Sequence, residues 1–271
     1  MKINNNKNNT RDNLALTLKN LSKVYANGTV ALQNINLTVG EGDFVSLVGA
    51  SGCGKSTLLR TIAGLEKISS GEIKWGKKYL AQKLAFVFQE PVLMPWAKVV
   101  DNVGLPLKLS GVPQSQGRLR CAEAIHLVGL NGFEKVYPRQ LSGGMKMRVS
   151  LARALVTQPS IMLMDEPFGA LDEITRSKLN RDLLTLWQQQ GWTVLFVTHN
   201  ISEAVYLSNR VVVIGAPPGR VVADIPIEAP LPRSEYFRTS HLCNEYCREI
   251  WAHLQEAINP TPFEPKRTLK P

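Results

Sequence analysis

The sequence predicts an α/β fold built on a mostly parallel sheet, and two patterns of apolar residues predict it. Four continuous apolar runs of strand length are typical of parallel strands covered on both faces; they span residues 84–88, 161–164, 194–197 and 211–214. Apolar residues instead alternate with small or polar ones over residues 14–18 and 35–39. Because period-two alternation is typical of half-buried antiparallel strands, these two segments predict a separate N-terminal β layer.

A glycine-rich turn follows directly on a fifth apolar segment, residues 44–48. It reads Gly-Ala-Ser-Gly-Cys-Gly-Lys-Ser-Thr, a complete Gly-x-x-x-x-Gly-Lys-Ser phosphate loop. The glycines let backbone N–H groups point at phosphate oxygens beside a helix N-terminus, the lysine adds positive charge, and the serine hydroxyl suits Mg²⁺. An ordinary surface turn would explain neither the lysine nor the strand. The loop therefore predicts a nucleoside triphosphate site at Gly49, Ala50, Ser51, Gly52, Cys53, Gly54, Lys55, Ser56 and Thr57.

Polar side chains also follow two of the predicted parallel strands. Asp165 and Glu166 end the run 161–164, and His199 follows the run 194–197. Open α/β sheets bind their ligands at the carboxyl ends of the strands. Asp165 is therefore expected to hold Mg²⁺, Glu166 to polarise the water that attacks the γ-phosphate, and His199 to contact that water or the γ-phosphate. A solvent-facing histidine at a strand end is the alternative for His199.

A second anion-binding position is predicted at Ser142, Gly143 and Gly144. Apolar residues recur at intervals of three and four after them, which places them at the N-terminus of an amphipathic helix. A serine hydroxyl and two glycine N–H groups at a helix start attract an anion. An ordinary helix cap is the alternative interpretation.

The remaining segments complete the predicted organisation of the chain. Residues 1–12 and 259–271 are polar tails, residues 13–232 form the main domain, and residues 233–258 form a helical extension. Within the main domain, a helical insertion is predicted over about residues 90–157, with Ala122, Ile125 and Val128 on an apolar face. A short strand is predicted at Val221 and Val222. The apolar face of the extension is predicted at Leu242, Tyr246, Ile250, Leu254 and Ile258.

Composition narrows the class of protein. The 271 residues are 44% hydrophobic, enough for a buried core, and the net charge of +10 favours an acidic partner such as nucleotide phosphates, nucleic acid or a membrane surface. No apolar run approaches the ~20 residues that cross a bilayer, and the N-terminus is polar, so a cytosolic protein is expected unless a partner holds it at a membrane.

Cys243 and Cys247 lie near His241 and His253 but match no common zinc pattern, so they are expected to cover a helix face.

Taken together, these motifs resemble the ATP-binding subunits of ABC transporters, from Leu14 to about Pro232. The resemblance implies a RecA-like P-loop ATPase and assigns further residues. Tyr25 is similar to the aromatic residue that stacks on adenine, and residues 49–57 to the Walker A loop. Gln89 is similar to the Q-loop glutamine, which implies a role in catalysis and in holding Mg²⁺, and residues 141–145 are similar to the family signature. Asp165 and Glu166 then correspond to the Walker B segment, Asp172 to the D-loop aspartate and His199 to the switch histidine.

The resemblance also implies a mechanism. Two copies would close head to tail over two ATP molecules, so that the signature of each contacts the γ-phosphate held by the other, and the motion would drive a membrane permease near Gln89. The segments 89–96, 141–146 and 165–172 look most like those of nitrate, sulfonate and taurine importers, which work with an extracytoplasmic solute-binding protein. The expected location is therefore the cytoplasmic face of the inner membrane. Residues 91–96 are expected either to receive the permease or to pack into the helical insertion.

Two other classes remain as alternatives. The positive charge would suit an ABC-type ATPase that acts on nucleic acid or ribosomes, but the chain carries one ATPase module and no heptad run, so no nucleic acid is expected. An exporter subunit is the other alternative; exporters often carry fused membrane segments. The sequence also departs from the importer subgroup at Met147, where glutamine is usual, so ribose contacts or packing of the signature helix are expected to differ there.

Overall fold

The structure, a computed structural model, describes residues 13–76 and 84–258. Both predicted tails, 1–12 and 259–271, lie outside these residues. The elements, in chain order, are β1 (Leu14–Val24), β2 (Val30–Gly40), β3 (Phe44–Val48), α1 (Lys55–Ile62), β4 (Ser70–Trp75), β5 (Leu84–Val87), α2 (Val99–Leu109), α3 (Gln114–Leu127), α4 (Gly143–Leu155), β6 (Ile161–Asp165), α5 (Glu173–Gln190), β7 (Thr193–Val197), α6 (Ile201–Leu207), β8 (Arg210–Ile214), β9 (Val221–Pro226) and α7 (His241–Ile258).

Six strands form the central sheet, in the spatial order β5-β6-β7-β3-β8-β9. All neighbours pair in parallel except β9, which pairs antiparallel with β8 and runs four residues beyond the predicted Val221 and Val222. Every residue of β3, β6 and β7 is buried, as their continuous apolar sequences predict. Phe88, predicted to end the β5 run, lies beyond that strand and is partly exposed.

The predicted antiparallel layer is a three-stranded sheet in the order β2-β1-β4. Strands β1 and β2 are the two alternating segments. Strand β4 was not predicted, because it is an edge strand in which only Ile73 and Trp75 are partly covered. Such a strand has too little buried surface to impose an alternating pattern on its sequence.

Helices α2, α3 and α4 lie between β5 and β6 in the chain, as the predicted fold class requires. The buried face of α3 is formed by Cys121, Ala124 and Ile125, whereas Ala122 is exposed. On α7, Cys243, Ile250 and Leu254 are buried, Tyr246 is partly buried and Leu242 is 37% exposed. Ile125, Ile250 and Leu254 are thus buried as predicted, whereas Ala122 and Leu242 are not, because the neighbouring Cys121 and Cys243 take the buried positions.

Side chains on the two faces of the central sheet pack in different hydrophobic clusters. On β6, Met162 and Met164 pack with the helical insertion and α5, whereas Ile161 and Leu163 pack with α1 and the antiparallel layer. A third cluster joins β8 and β9 to α6 and α7. This layering places the carboxyl ends of β3, β6 and β7 at one edge of the sheet, because Asp165 and Leu47 both pair with Val197.

Candidate nucleotide site

The phosphate loop connects β3 directly to α1, and its backbone requires glycine. Gly54 has a φ of +97°, in the left-handed region, and a Cβ placed there would lie 2.8 Å from the carbonyl oxygen of Ala31. A Cβ on Gly49 would lie 2.5 Å from the carbonyl oxygen of Ile214. Any side chain at these two positions would therefore displace the loop from the neighbouring backbone.

Lys55 begins α1 and its ammonium group is enclosed by the phosphate loop. The side chain is 5% exposed, and Nζ donates hydrogen bonds to the carbonyl oxygens of Gly49 at 2.8 Å and Ala50 at 3.0 Å. The thiol of Cys53 lies 3.7 Å from the same Nζ, and burial raises the pKa of that thiol. A cation held at the start of a helix is suited to bind phosphate oxygens.

Ser56 and Asp165 meet across the edge of the sheet. The Ser56 hydroxyl donates to Asp165 Oδ1 at 2.7 Å, and the Arg60 guanidinium lies 4.0 Å from Asp165 Oδ2. Burial raises the pKa of Asp165, while the serine hydrogen bond and the arginine charge oppose that shift. A hydroxyl and a carboxylate in contact are the hard oxygen ligands that Mg²⁺ prefers. The predicted Mg²⁺ ligands Ser56 and Asp165 are thus adjacent.

Glu166, His199 and Gln89 converge around Gly169. Glu166 Oε2 lies 3.3 Å from His199 Nδ1. A Cβ on Gly169 would lie 3.6 Å from His199 Cε1 and 3.7 Å from Gln89 Nε2, so both side chains border this glycine. Glu166 itself has a φ of +45°, which is unusual for a residue with a side chain, and such outliers cluster at functional sites.

Tyr25 lines the same cavity as the phosphate loop. This cavity, of about 390 Å³, also contains Lys55, Ser56 and Glu166. The Tyr25 hydroxyl donates to Glu66 Oε2 at 2.9 Å and lies 3.2 Å from Thr57 Oγ1. The position of the ring is consistent with stacking on a base whose phosphates occupy the loop.

The signature residues do not line this cavity. The Ser142 hydroxyl accepts a hydrogen bond from the N–H of Met145, so it caps α4 as the ordinary interpretation requires. A Cβ on Gly144 would lie 2.6 Å from Thr175 Cγ2, and the N–H of Thr175 donates to the carboxylate of Asp172. The hydrogen bonds from Thr175 lower the pKa of Asp172. The signature and Asp172 therefore lie side by side, and Ser142, Gly143 and Asp172 are exposed.

Several residues at the site were missed by sequence reasoning. Arg60, Glu66 and Pro217 belong to no recognised motif. Arg60 contacts Asp165, Glu66 contacts Tyr25, and Pro217 lines the cavity. Gly219 packs so closely on the phosphate loop that a Cβ would lie 2.2 Å from the Cys53 carbonyl oxygen. The proline- and glycine-rich sequence of residues 217–220 indicates a turn, but it carries no signal that this turn contacts the phosphate loop.

Met147 does not line the cavity that contains Lys55. Its side chain is buried in the cluster between the helical insertion and the sheet. We expect Met147→Gln to lower the free energy of unfolding by about 1–3 kcal/mol, because an amide would be buried without a partner. Denaturant unfolding measures the change, and Met145→Gln, at a half-buried position on the same helix, is the control. Equal losses at the two positions would contradict the prediction.

A phosphate loop between a buried strand and a helix, with two carboxylates at the end of a neighbouring parallel strand, defines a P-loop nucleoside triphosphatase. The family described as ABC transporter matches residues 32–169. The chain belongs to the ATP-binding subunits of this family and is an ATPase. The predictions of family, fold class and ATPase activity are confirmed.

Two curated relatives cover most of the chain. An uncharacterised ABC transporter ATP-binding protein of Methanocaldococcus jannaschii is 45% identical over 92% of this chain and 95% of its own length. The aliphatic sulfonates import ATP-binding protein SsuB of Bacillus cereus is 44% identical over 82% of this chain and 90% of its own length. The resemblance to the sulfonate importer group is therefore confirmed.

The fold is also similar to a solved bacterial ABC transporter cassette. A dimeric structure of that cassette is 35% identical, has a TM-score of 0.69 and covers 79% of this chain and 100% of the cassette. A second dimeric structure of the cassette is described as a post-hydrolysis state bound to ADP and Pi. No helix within residues 13–76 and 84–258 of the present chain combines the length and apolar character of a membrane span.

Proposed function

We propose that this ATPase powers the import of a small solute, such as nitrate, a sulfonate or taurine, through a separate membrane permease. The 44% identity to an aliphatic sulfonates import ATP-binding protein carries the proposal of import. The incomplete nucleotide site supports action as a pair of copies. The phosphate loop, Asp165 and Glu166 share one edge of the sheet, whereas Ser142 and Gly143 are exposed outside the cavity. One chain thus presents two halves of a site that are separated from one another.

A second copy would complete the site. In a head-to-tail homodimer, Ser142, Gly143 and Gly144 of one copy reach the γ-phosphate held by the Walker A loop of the other. The exposed Asp172 beside them would cross the same interface. The dimeric structure of the related cassette supports this arrangement. ATP would drive closure, and hydrolysis would reverse it.

Within this site the residues have distinct roles. Tyr25 stacks on adenine, the loop N–H groups and Lys55 bind phosphate oxygens, and Ser56, Asp165 and Gln89 would hold Mg²⁺. When bound, Mg²⁺ neutralises charge on the β- and γ-phosphates. The Glu166 carboxylate accepts a hydrogen bond from the attacking water and polarises it, and His199, 3.3 Å from Glu166, orients that carboxylate.

The segment 91–96 supports docking of a permease. Its backbone is anchored, because the buried Asn102 side chain bonds both the N–H and the carbonyl of Met94, and Arg153 bonds two carbonyls nearer Gln89. Val92 and Trp96 are nevertheless 63% and 76% exposed. Trp96 also lines a groove of about 880 Å³ along α2 and α3. An anchored loop that leaves large apolar side chains in water is typical of a protein interface. The protein would then lie at the cytoplasmic face of the inner membrane.

We expect Trp96→Ala to reduce recovery of the permease about tenfold when the tagged protein is purified from detergent extracts, since interface tryptophans commonly dominate binding energy. ATP hydrolysis by the isolated protein should not change, because Trp96 does not line the nucleotide cavity. Tyr236→Ala, which removes another highly exposed aromatic side chain, is the control. Equal recovery of the permease from all three proteins would contradict docking at this groove.

The transported solute is tested by identifying the co-purifying membrane protein and its solute-binding protein. Uptake of nitrate, aliphatic sulfonates and taurine is then compared in cells that contain or lack this ATPase. Loss of uptake of one of them supports the proposal. Co-purification of RNA or DNA in place of a membrane protein would contradict it.

A further inference from the structure

The C-terminal extension is attached to α6 through a buried arginine. The Arg233 side chain is 5% exposed, and Nη1 donates to the carbonyl oxygens of Val205, Tyr206 and Ser208 at 2.8, 2.9 and 2.7 Å. These carbonyls end α6, where a helix has no backbone partners to offer them. Burial lowers the pKa of Arg233 to about 10, so the guanidinium remains charged at neutral pH. A positive charge at a helix C-terminus is favourable.

Arg238 makes a second attachment to the same helix. Its guanidinium carbon lies 3.7 Å from the centre of the Tyr206 ring, and the Tyr206 hydroxyl donates to the carbonyl of Arg233. Nε and Nη2 of Arg238 have no hydrogen-bond partner among the described residues. Glu203 lies on α6 one turn before Tyr206. Burial raises the pKa of Glu203, and the positive charges of Arg238 and of Arg176 on α5 both act to lower it. We call Arg233 and Arg238 together the arginine hook.

Glu203 connects α6 to the segment that carries His199. It is 4% exposed, and Oε2 accepts a hydrogen bond of 2.5 Å from the Thr198 hydroxyl. The Thr198 hydroxyl oxygen accepts from the N–H of Asn200, and the Asn200 side chain accepts from the N–H of Glu203. These bonds join Glu203 in a ring with Thr198 and Asn200, the residues immediately before and after His199.

We propose that the arginine hook of the C-terminal extension is a positioning device for His199, acting through α6 and the Glu203–Thr198 hydrogen bond. The hook holds the carboxyl end of α6, and the ring of hydrogen bonds ties its amino end to His199. Displacing the helix therefore moves the imidazole relative to Glu166. The inference rests on the proposed role of His199 in hydrolysis. Arg233, Arg238, Glu203 and Thr198 are positioning residues, since none of them lines the nucleotide cavity.

Kinetics of the full-length protein test the first part of this proposal. We expect Arg233→Met to lower kcat about tenfold or more, since misplacing a catalytic group by about 1 Å costs up to about a hundredfold. The KM for MgATP should change by less than about twofold, because binding contacts are untouched. Arg248→Met is the matched control, because Arg248 is exposed on the same extension and its bond is to Asn244 of its own helix. An unchanged kcat in Arg233→Met would overturn the proposal.

Thr198→Val cuts the connection and leaves the hook in place. We expect it to reproduce the loss of kcat, and the double variant with Arg233→Met to lose little more, because both changes act on one path. Fully multiplicative losses would overturn the proposal. If Arg233→Met does not fold, Arg233→Lys keeps the charge with fewer donors, and the cycle is measured with that variant.

Proton NMR of the histidine rings distinguishes a positioning effect on His199 from a general loss of stability. The chain has four histidines, and the Cε1–H signal of His199 is assigned from its loss in His199→Gln. In Arg233→Met we expect that signal to shift or broaden while the signal of His126, on α3, stays unchanged. A lower kcat with an unmoved His199 signal would overturn the proposal. Full activity of His199→Gln would instead contradict the role of His199 in the proposed function.

Discussion

Replacing Glu166 with glutamine is expected to slow ATP hydrolysis by about 10²- to 10⁴-fold, the range that general-base catalysis contributes. Glutamine has nearly the same shape, and the backbone N–H of residue 166 keeps its hydrogen bond of 3.0 Å to Val197. The fold should therefore survive. An amide lacks the negative charge that polarises the water and accepts its proton, so bound ATP is expected to persist.

Phosphate release and binding of a fluorescent ATP analogue measure the two halves of this result. Size-exclusion chromatography with MgATP should show Glu166→Gln as a dimer, because closure is no longer reversed by hydrolysis. The control is Glu173→Gln, which changes an exposed carboxylate whose ion pair is with Arg176 on the same helix. A Glu166→Gln protein that remains monomeric at high concentration with MgATP would contradict the head-to-tail dimer.

Replacing Lys55 with alanine is expected to abolish nucleotide-dependent activity by a different route. The change removes the enclosed ammonium group, and with it the charged hydrogen bonds available to phosphate oxygens. Since a hydrogen bond to a charged group contributes about 1.5–3 kcal/mol, affinity for MgATP should fall about tenfold to a hundredfold or more. The carbonyls of Gly49 and Ala50 also lose their donor, which loosens the loop.

Calorimetric titration with MgATP and a phosphate-release assay measure this loss. Lys74→Ala, which removes an exposed ammonium from edge strand β4, should leave both measurements unchanged. The two variants then differ in a diagnostic way, because Glu166→Gln binds without hydrolysing and Lys55→Ala binds poorly. A Lys55→Ala protein with unaltered affinity would contradict the assignment of the phosphate loop.

Much of the site could be predicted because its signals are local in sequence. The phosphate loop is recognisable since glycine, lysine and serine must stand at set spacings to surround a phosphate. The buried strands are recognisable since both faces of each are covered, which makes their sequences continuously apolar. Strand β4 escaped prediction because one edge and most of its side chains are exposed, so burial imposes no pattern on it.

Contacts between distant segments could not be predicted in the same way. Gln89, Glu166 and His199 lie far apart in the chain and meet around Gly169 only because the strands before them pair side by side. Arg233 belongs to no site predicted from the sequence, yet it is among the most buried charged residues that the structure describes. No pattern in the sequence distinguishes a buried arginine from an exposed one, because burial depends on carbonyls supplied by another helix.

The sequence by itself determined the phosphate loop, the parallel strands and the carboxylates at their ends, because each is specified by residues a few positions apart. Only the tertiary structure decided that Ser142 lies outside the cavity that contains Lys55, and that Arg233 joins the C-terminal extension to the helix after His199. The reason is physical. Local sequence patterns indicate which surface of a helix or strand is buried. Strand order and helix packing decide which other segments cover that surface.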